Sequence, residues 1–240
     1  GNDGSGFLSI LIDEEGNEIS CERFDPPNQS RVGLYDAFMV ENEVVFIGSE
    51  GFAVDGQSRT IPWILKANLD GDIIFSENYG GEEREGEDIR DIMFCGMVAS
   101  DGTYILGGAK DNWRARGWEA WLTKISIEGE VLWSQVYGNV NGDQLRSVVE
   151  VDNGGIMAAG FHTPLGDWRN NFLFLITDAD GDSLTSHSVG DGGGIDEACE
   201  DLIFERESTY MALGTSQHNM FLVRFELENI PFVIPPHLTV

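Results

Sequence analysis

The stretch EAWLTKISIEGEVLWSQVYG, residues 119–138, consists of two β-rich runs around a Glu-Gly turn, and the chain repeats it. Glycine supplies the positive φ that a tight hairpin connection needs. Four further segments align with it: GFLSILIDEEGNEISCERFD (6–25), IPWILKANLDGDIIFSENYG (61–80), NFLFLITDADGDSLTSHSVG (171–190) and MFLVRFELENIPFVIPP (220–236). The turn glycines Gly16, Gly71, Gly129 and Gly181, with Asn229 standing in for the fifth, are spaced by 55, 58, 52 and 48 residues. Self-similarity at that period marks a repeat architecture of about fifty residues per unit.

The hairpin's companions recur as well. After it come a loop, an alternating run such as DQLRSVVEV (143–151), and a short apolar run ending in Gly: VVFIG (44–48), YILGG (104–108), IMAAG (156–160) and YMALG (210–214). Each repeat therefore reads as four strands, A to D, with the opening stretch supplying C and D. This is the size of a propeller blade. Blades are expected at 31–79, 88–137, 143–188 and 195–235, and residues 6–24 give only a C–D pair, a half blade. About four and a half blades point to a five-bladed ring, with a four-bladed ring plus an extra hairpin as the alternative, in one all-β domain over 1–240. The segment GIDEACEDLIFERE (194–207) has helix-friendly residues but falls in the strand A slot and reads as β.

Composition limits the function. With 42 acidic and 14 basic residues the formal net charge is −28, which argues against nucleic acid as a partner, because phosphate binding needs a basic footprint. Only Lys66, Lys110 and Lys124 are lysines, a balance that fits either a high-salt environment or an acidic extracellular surface. Cys21, Cys95 and Cys199 are too few and too scattered for a disulfide framework or a CxxC metal site. The longest apolar runs, such as FLFLI at 172–176, are too short to span a bilayer, so no membrane insertion is expected. No signal peptide is visible, so the chain is either cytosolic or, the preferred expectation, a mature secreted or cell-surface protein, monomeric and without a cofactor.

The run of Gly-rich entry, DGxYILGG, WLTKIS, EGEVLW and YG resembles the repetitive β-propellers of many secreted bacterial proteins. It is also similar to the blades of quinoprotein (PQQ-like) dehydrogenases, whose hairpins carry a comparable turn followed by Leu-Trp. The resemblance covers most of the chain and implies a blade fold. Those enzymes usually have eight blades and a dedicated cofactor pocket, and this chain is too short for eight, so their cofactor does not follow. In size and blade count the chain is similar to small five-bladed lectins of the tachylectin kind.

In a propeller the B–C and D–A loops share one face, where variation leaves the stacked sheets undisturbed. The B–C loops KDNWRARGW (110–118) and PLGDWRNN (164–171) share an Asp/Asn-Trp-Arg string, which makes Trp113, Arg114, Trp118, Trp168 and Arg169 candidate ligand-binding residues. A flat indole beside a forked guanidinium suits sugar rings or a partner's polar groups. The plainer alternative is packing against adjacent blades.

The D–A loops GGEEREGED (80–88), GNVNGD (138–143) and GDGGGID (190–196) each end in an aspartate, giving Asp88, Asp143 and Asp196. Converging carboxylates, with Glu197 beside them, would fit a hard cation or the acid and base pair of a glycoside hydrolase. Asp beside Gly also closes a turn onto its own backbone. DADGD at 178–182 resembles the start of an EF-hand loop, but its sixth position is Ser183 and its twelfth Val189, so it reads as a turn. His162, His187, His218 and His237 lack zinc-site spacing, and no GxSxG, P-loop or dinucleotide fingerprint is present.

The function expected from sequence is a non-catalytic binding module for a glycan or protein through one loop face. A hydrolytic propeller using Asp88, Asp143 and Asp196 is the second reading. A structural segment of a longer repeat protein is the third.

Overall fold

The structure, a computed structural model, describes residues 6–26, 31–82, 88–112, 117–138, 142–151, 154–164, 169–189, 197–206, 209–216 and 219–226. These are all-β and contain no α-helix. The chain divides into two compact units, Gly1–Met93 and Phe94–Val240.

In the first unit β1 (Phe7–Ile12) and β2 (Glu18–Phe24) form a two-stranded sheet. The strands β3 (Arg31–Val40), β4 (Glu43–Val54), β5 (Gln57–Asn68) and β6 (Ile73–Asn78) form an antiparallel meander, and β7 (Ile89–Arg90) pairs in parallel with β5. The second unit carries two four-stranded meanders and a three-stranded one. They are β8 (Ile92–Val98) with β9 (Tyr104–Asn112), β10 (Gly117–Ile125) and β11 (Val131–Tyr137); β12 (Asp143–Glu150) with β13 (Ile156–His162), β14 (Asn171–Thr177) and β15 (Ser183–Val189); and β16 (Glu197–Arg206) with β17 (Thr209–Ser216) and β18 (Asn219–Glu226).

These are four-stranded antiparallel blades of the β-propeller kind, opened by a half blade, with five sheets among the described residues. Of the helix-friendly segment 194–207, the described part, Glu197–Arg206, is strand β16. The D strand of the last repeat falls outside the described residues.

Three C–D turns are built the same way. In DADGD, Oδ1 of Asp178 accepts the amides of Asp180 (3.0 Å) and Asp182 (2.9 Å), and Gly181 takes φ +82°. Asn68 accepts the amides of Asp70 and Asp72 in the same way, and the hydroxyl of Ser126 accepts those of Glu128 and Glu130. A side-chain acceptor two and four residues ahead of the amides it holds is what Asp, Asn and Ser supply at turns. The Asp178 carboxylate of DADGD is therefore spent on its own backbone.

A second recurrent device is a β-bulge in strand A. The register slips between Leu34 and Asp36, between Leu145 and Ser147, and between Cys199 and Asp201, which leaves Tyr35, Arg146 and Glu200 as the extra residues. Bulges twist a strand and re-aim a side chain.

The core lies between stacked sheets. One layer joins Cys95, Ile105, Leu122, Leu145, Ala158 and Leu175, with Trp133 and Tyr137 at its margin; the next joins Met157, Phe172, Cys199, Leu202 and Tyr210. In the first unit Phe24, Trp63 and Leu65 form the corresponding layer. Trp63 and Trp121 occupy the same strand C position and each donates its indole N–H to a strand D serine, Ser76 (2.8 Å) and Ser134 (2.7 Å). A buried indole contributes stability only when that donor is satisfied.

Candidate functional site

Strand A of a blade begins where strand B ends. In the sheet β12–β15 this pairs Asp143 with His162 and Gln144 with Phe161. Asp143 is wholly buried, and its Oδ1 lies 2.7 Å from His162 Nδ1 and accepts the Thr163 amide at 3.3 Å. The ring nitrogen turned away from the carboxylate is Nε2.

The Thr163 hydroxyl meets the Gly142 carbonyl and the Asn170 side-chain carbonyl, both at 2.8 Å. The Asn170 backbone carbonyl then accepts the Glu197 amide (2.8 Å), and Glu197 Oε1 accepts the Ser216 hydroxyl (3.2 Å). A continuous hydrogen-bonded path thus runs from the first residue of β12 to the last residue of β17, along the loop end of two adjacent sheets.

The register also shows which acids are equivalent. Leu145 stands opposite Gly160 and Cys199 opposite Gly214, so Glu197 holds in β16 the place that Asp143 holds in β12. Counting back from the turns at Ala99 and Val151 gives Asp91 the same place ahead of β8. Asp91 is fully buried and its Oδ2 accepts the Gly81 amide at 2.8 Å. Asp88, by contrast, is exposed and accepts the Ser58 amide at 2.7 Å. Asp196 lies outside the described residues.

Of the loop residues, Trp113, Arg114 and Trp168 also lie outside them. Trp118 is half-buried in β10, opposite Asp111, and Arg169 is half-buried beside Asn170. The sequence reading missed His162 and Gln144. Their signal was positional: Glu50, Lys110, His162 and Ser216 each stand two places after the strand B glycine, and His162 and Ser216 face the first residue of strand A.

Among the described residues, the buried acceptors at this end that lack a hydrogen-bond partner include Gln144 Oε1 and Glu197 Oε2. Their residues are 5% and 8% exposed. Alternation puts both on the same layer. Gln144 is on the face of Phe161 and Ala159, Glu197 is on the face of Cys199, and Ala159 and Cys199 share one core. Both unmatched atoms are acceptors. In that layer burial pushes the Cys199 thiol up to about 12. Among the described residues no group of three or more His, Cys, Asp or Glu is arranged to hold a metal, and no helix is long and apolar enough to cross a membrane.

No protein-family model matches the sequence, and no curated protein matches it. Among solved structures the chain is similar to an endo-arabinase from Bacteroides thetaiotaomicron, at 8% identity and a TM-score of 0.49 over 94% of each chain. It is similar to the β-propeller domain of the Trilobed protease from Pyrococcus furiosus, at 10% identity and a TM-score of 0.41 over 82% of this chain and 58% of that one. It is also similar to an exo-1,5-α-L-arabinanase from a bovine ruminal metagenomic library, at 10% identity and a TM-score of 0.40 over 92% of this chain and 86% of that one. At such identities the likeness is one of architecture alone, and no residue role passes to this chain from it.

Proposed function

We propose that the protein is a non-catalytic glycan-binding module of the secreted or cell-surface kind, which takes its ligand at the loop end of the sheets β12–β15 and β16–β18. The observation that carries this reading is the pair of buried, unmatched acceptors, Gln144 Oε1 and Glu197 Oε2, on one layer. A buried polar atom without a partner costs about 1–3 kcal/mol, and a ligand rich in hydroxyl donors removes that cost. Sugars are such ligands. Arg169 precedes Asn170, whose side chain and backbone carbonyls are part of the hydrogen-bonded path at this end.

A hydrolytic role has less support. Retaining and inverting glycosidases need two carboxyl groups facing each other across open space, whereas Asp88 is engaged with Ser58 and Asp143 with His162 and Thr163.

The test is retention of the full chain on an immobilised glycan library, with Glu197→Leu as the partner variant. At least one glycan is retained by the wild type, and the variant binds it ten-fold or more weakly, about 1.4 kcal/mol, while a cooperative thermal transition shows that it is folded. Retention of no glycan, or equal binding by the variant, ends the proposal.

A further inference from the structure

Arg146 is the extra residue of the β12 bulge, and its guanidinium carbon sits 4.0 Å from the centroid of the Phe94 ring and 5.8 Å from that of Phe161. The two rings fix the guanidinium by cation–π contact, so its orientation is set before any ligand arrives. What they do not supply is an acceptor. The Nε–H is buried without a partner, and among the described residues the guanidinium makes no hydrogen bond or ion pair.

In a chain with 42 carboxylates and 14 basic residues, an unpaired arginine is the unexpected arrangement. A carboxylate is close at hand in the fold. Glu200 is the bulge residue of β16, and Ser147 and Asp201, the residues directly after the two bulges, are hydrogen-bonded at 2.9 Å. Yet Glu200 is exposed and does not pair with Arg146. Gln144, with its unmatched acceptor, stands two residues before Arg146 and opposite Phe161.

We infer that Arg146 is the anchor for a carboxylate on the ligand, and that the glycan taken at this end carries uronic acid residues. The inference rests on the glycan reading above and adds the chemical class. A guanidinium meets a planar carboxylate with paired donors, and the contact is charge-assisted. The acceptors Gln144 Oε1 and Glu197 Oε2 take hydroxyl donors from the same or the neighbouring sugar ring. A neutral sugar would satisfy those acceptors and leave the arginine unmatched.

The experiment compares uronic-acid oligosaccharides with the same oligosaccharides after carboxyl reduction to the primary alcohol. Both sets are titrated against the full chain and against Arg146→Gln and Arg146→Lys. The wild type is expected to bind the uronate form at least ten-fold tighter than its reduced twin. Arg146→Gln erases the difference, and Arg146→Lys, which keeps the charge without the fork, restores part of it. Equal binding of the two forms by the wild type overturns the inference and leaves the glycan reading standing. So does retention of neutral glycans alone. A uronate preference that survives in Arg146→Gln overturns the assignment to this residue, and failure to bind any glycan ends both. Thermal unfolding of both variants shows whether the bulge still folds; a Gln variant that unfolds leaves the Lys variant to decide, since it keeps the contact with Phe94. Wild-type affinity in Arg146→Lys, with no loss of uronate selectivity, would then reject the forked contact.

Discussion

His162 Nδ1 lies 2.7 Å from Asp143 Oδ1, with both side chains almost wholly inside the protein. The pair joins the first residue of β12 to the last of β13 at the loop end, so it closes the sheet where the hydrogen-bond ladder runs out. Asp143→Ala leaves the His162 ring nitrogen without its partner in a buried position. The expected loss is about 1–3 kcal/mol, read as a lower urea midpoint at unchanged slope. A midpoint equal to wild type would show that the pair is incidental to the fold.

The three thiols differ in environment. Cys21 is exposed, while Cys95 and Cys199 are buried, and burial lifts Cys199 to about 12. The thiolate is the reactive form, so a neutral-pH thiol reagent should label Cys21 in the native protein and all three in denaturant. Because the Cys199 value is raised in the fold, its contribution to stability is fully present below the ordinary thiol range and declines as pH rises toward about 12. Mass mapping of labelled peptides settles the first point. Fast native labelling at Cys199 would mean that the layer around it opens readily.

Asp101 responds in the opposite direction. Hydrogen bonding from Lys124 first, then from Thr103, holds its carboxyl down to about 2 from an ordinary 3.8. A depressed carboxyl stabilises the fold above its unfolded value, and that stability drains away as pH falls through about 2. Asp101 is half exposed, so solvent screens the pair and the effect is small. Asp101→Asn should flatten the acid limb of stability against pH between about 4 and about 2, by lowering stability slightly at neutral pH and leaving it unchanged at the acid end. An acid limb identical to wild type would place the acid sensitivity elsewhere.

How much of this was legible in the sequence follows from what repeats. The hairpin turns were readable because Gly71, Gly129 and Gly181 need positive φ and Asn68 and Asp178 need to hold their own backbone amides. The bulges were not, since an extra residue in a strand leaves no compositional mark; Tyr35, Arg146 and Glu200 share a position and no chemistry. Reading each D–A loop to its last aspartate found Asp143 but took Asp88 as its counterpart. The turn count puts Asp91 in that place instead, because the short strand β7 intervenes. His162 stayed hidden for a related reason: its partner is nineteen residues away, across a hairpin whose register only the structure fixes.

One contact between neighbouring sheets can be tested in detail. Tyr137 donates its hydroxyl to the Gly181 carbonyl at 2.5 Å, and the Trp133 indole donates to the Ala179 carbonyl at 3.2 Å, so β11 grips the C–D turn of the next sheet. Gly181 suits that grip twice over. Its φ of +82° is one that side chains resist, and a Cβ there would come within 2.9 Å of the Trp133 ring. Tyr137→Phe removes one hydrogen bond and should cost about 1 kcal/mol. Gly181→Ala adds backbone strain and the clash, for about 1–3 kcal/mol. Both changes act on one contact, so the double variant should lose less than the sum of the single losses, with a coupling of about 0.5 kcal/mol or more. Chemical unfolding of the four proteins measures it. Strict additivity would mean that the tyrosine hydroxyl and the turn glycine stabilise the fold independently, and that the grip is carried by Trp133 alone.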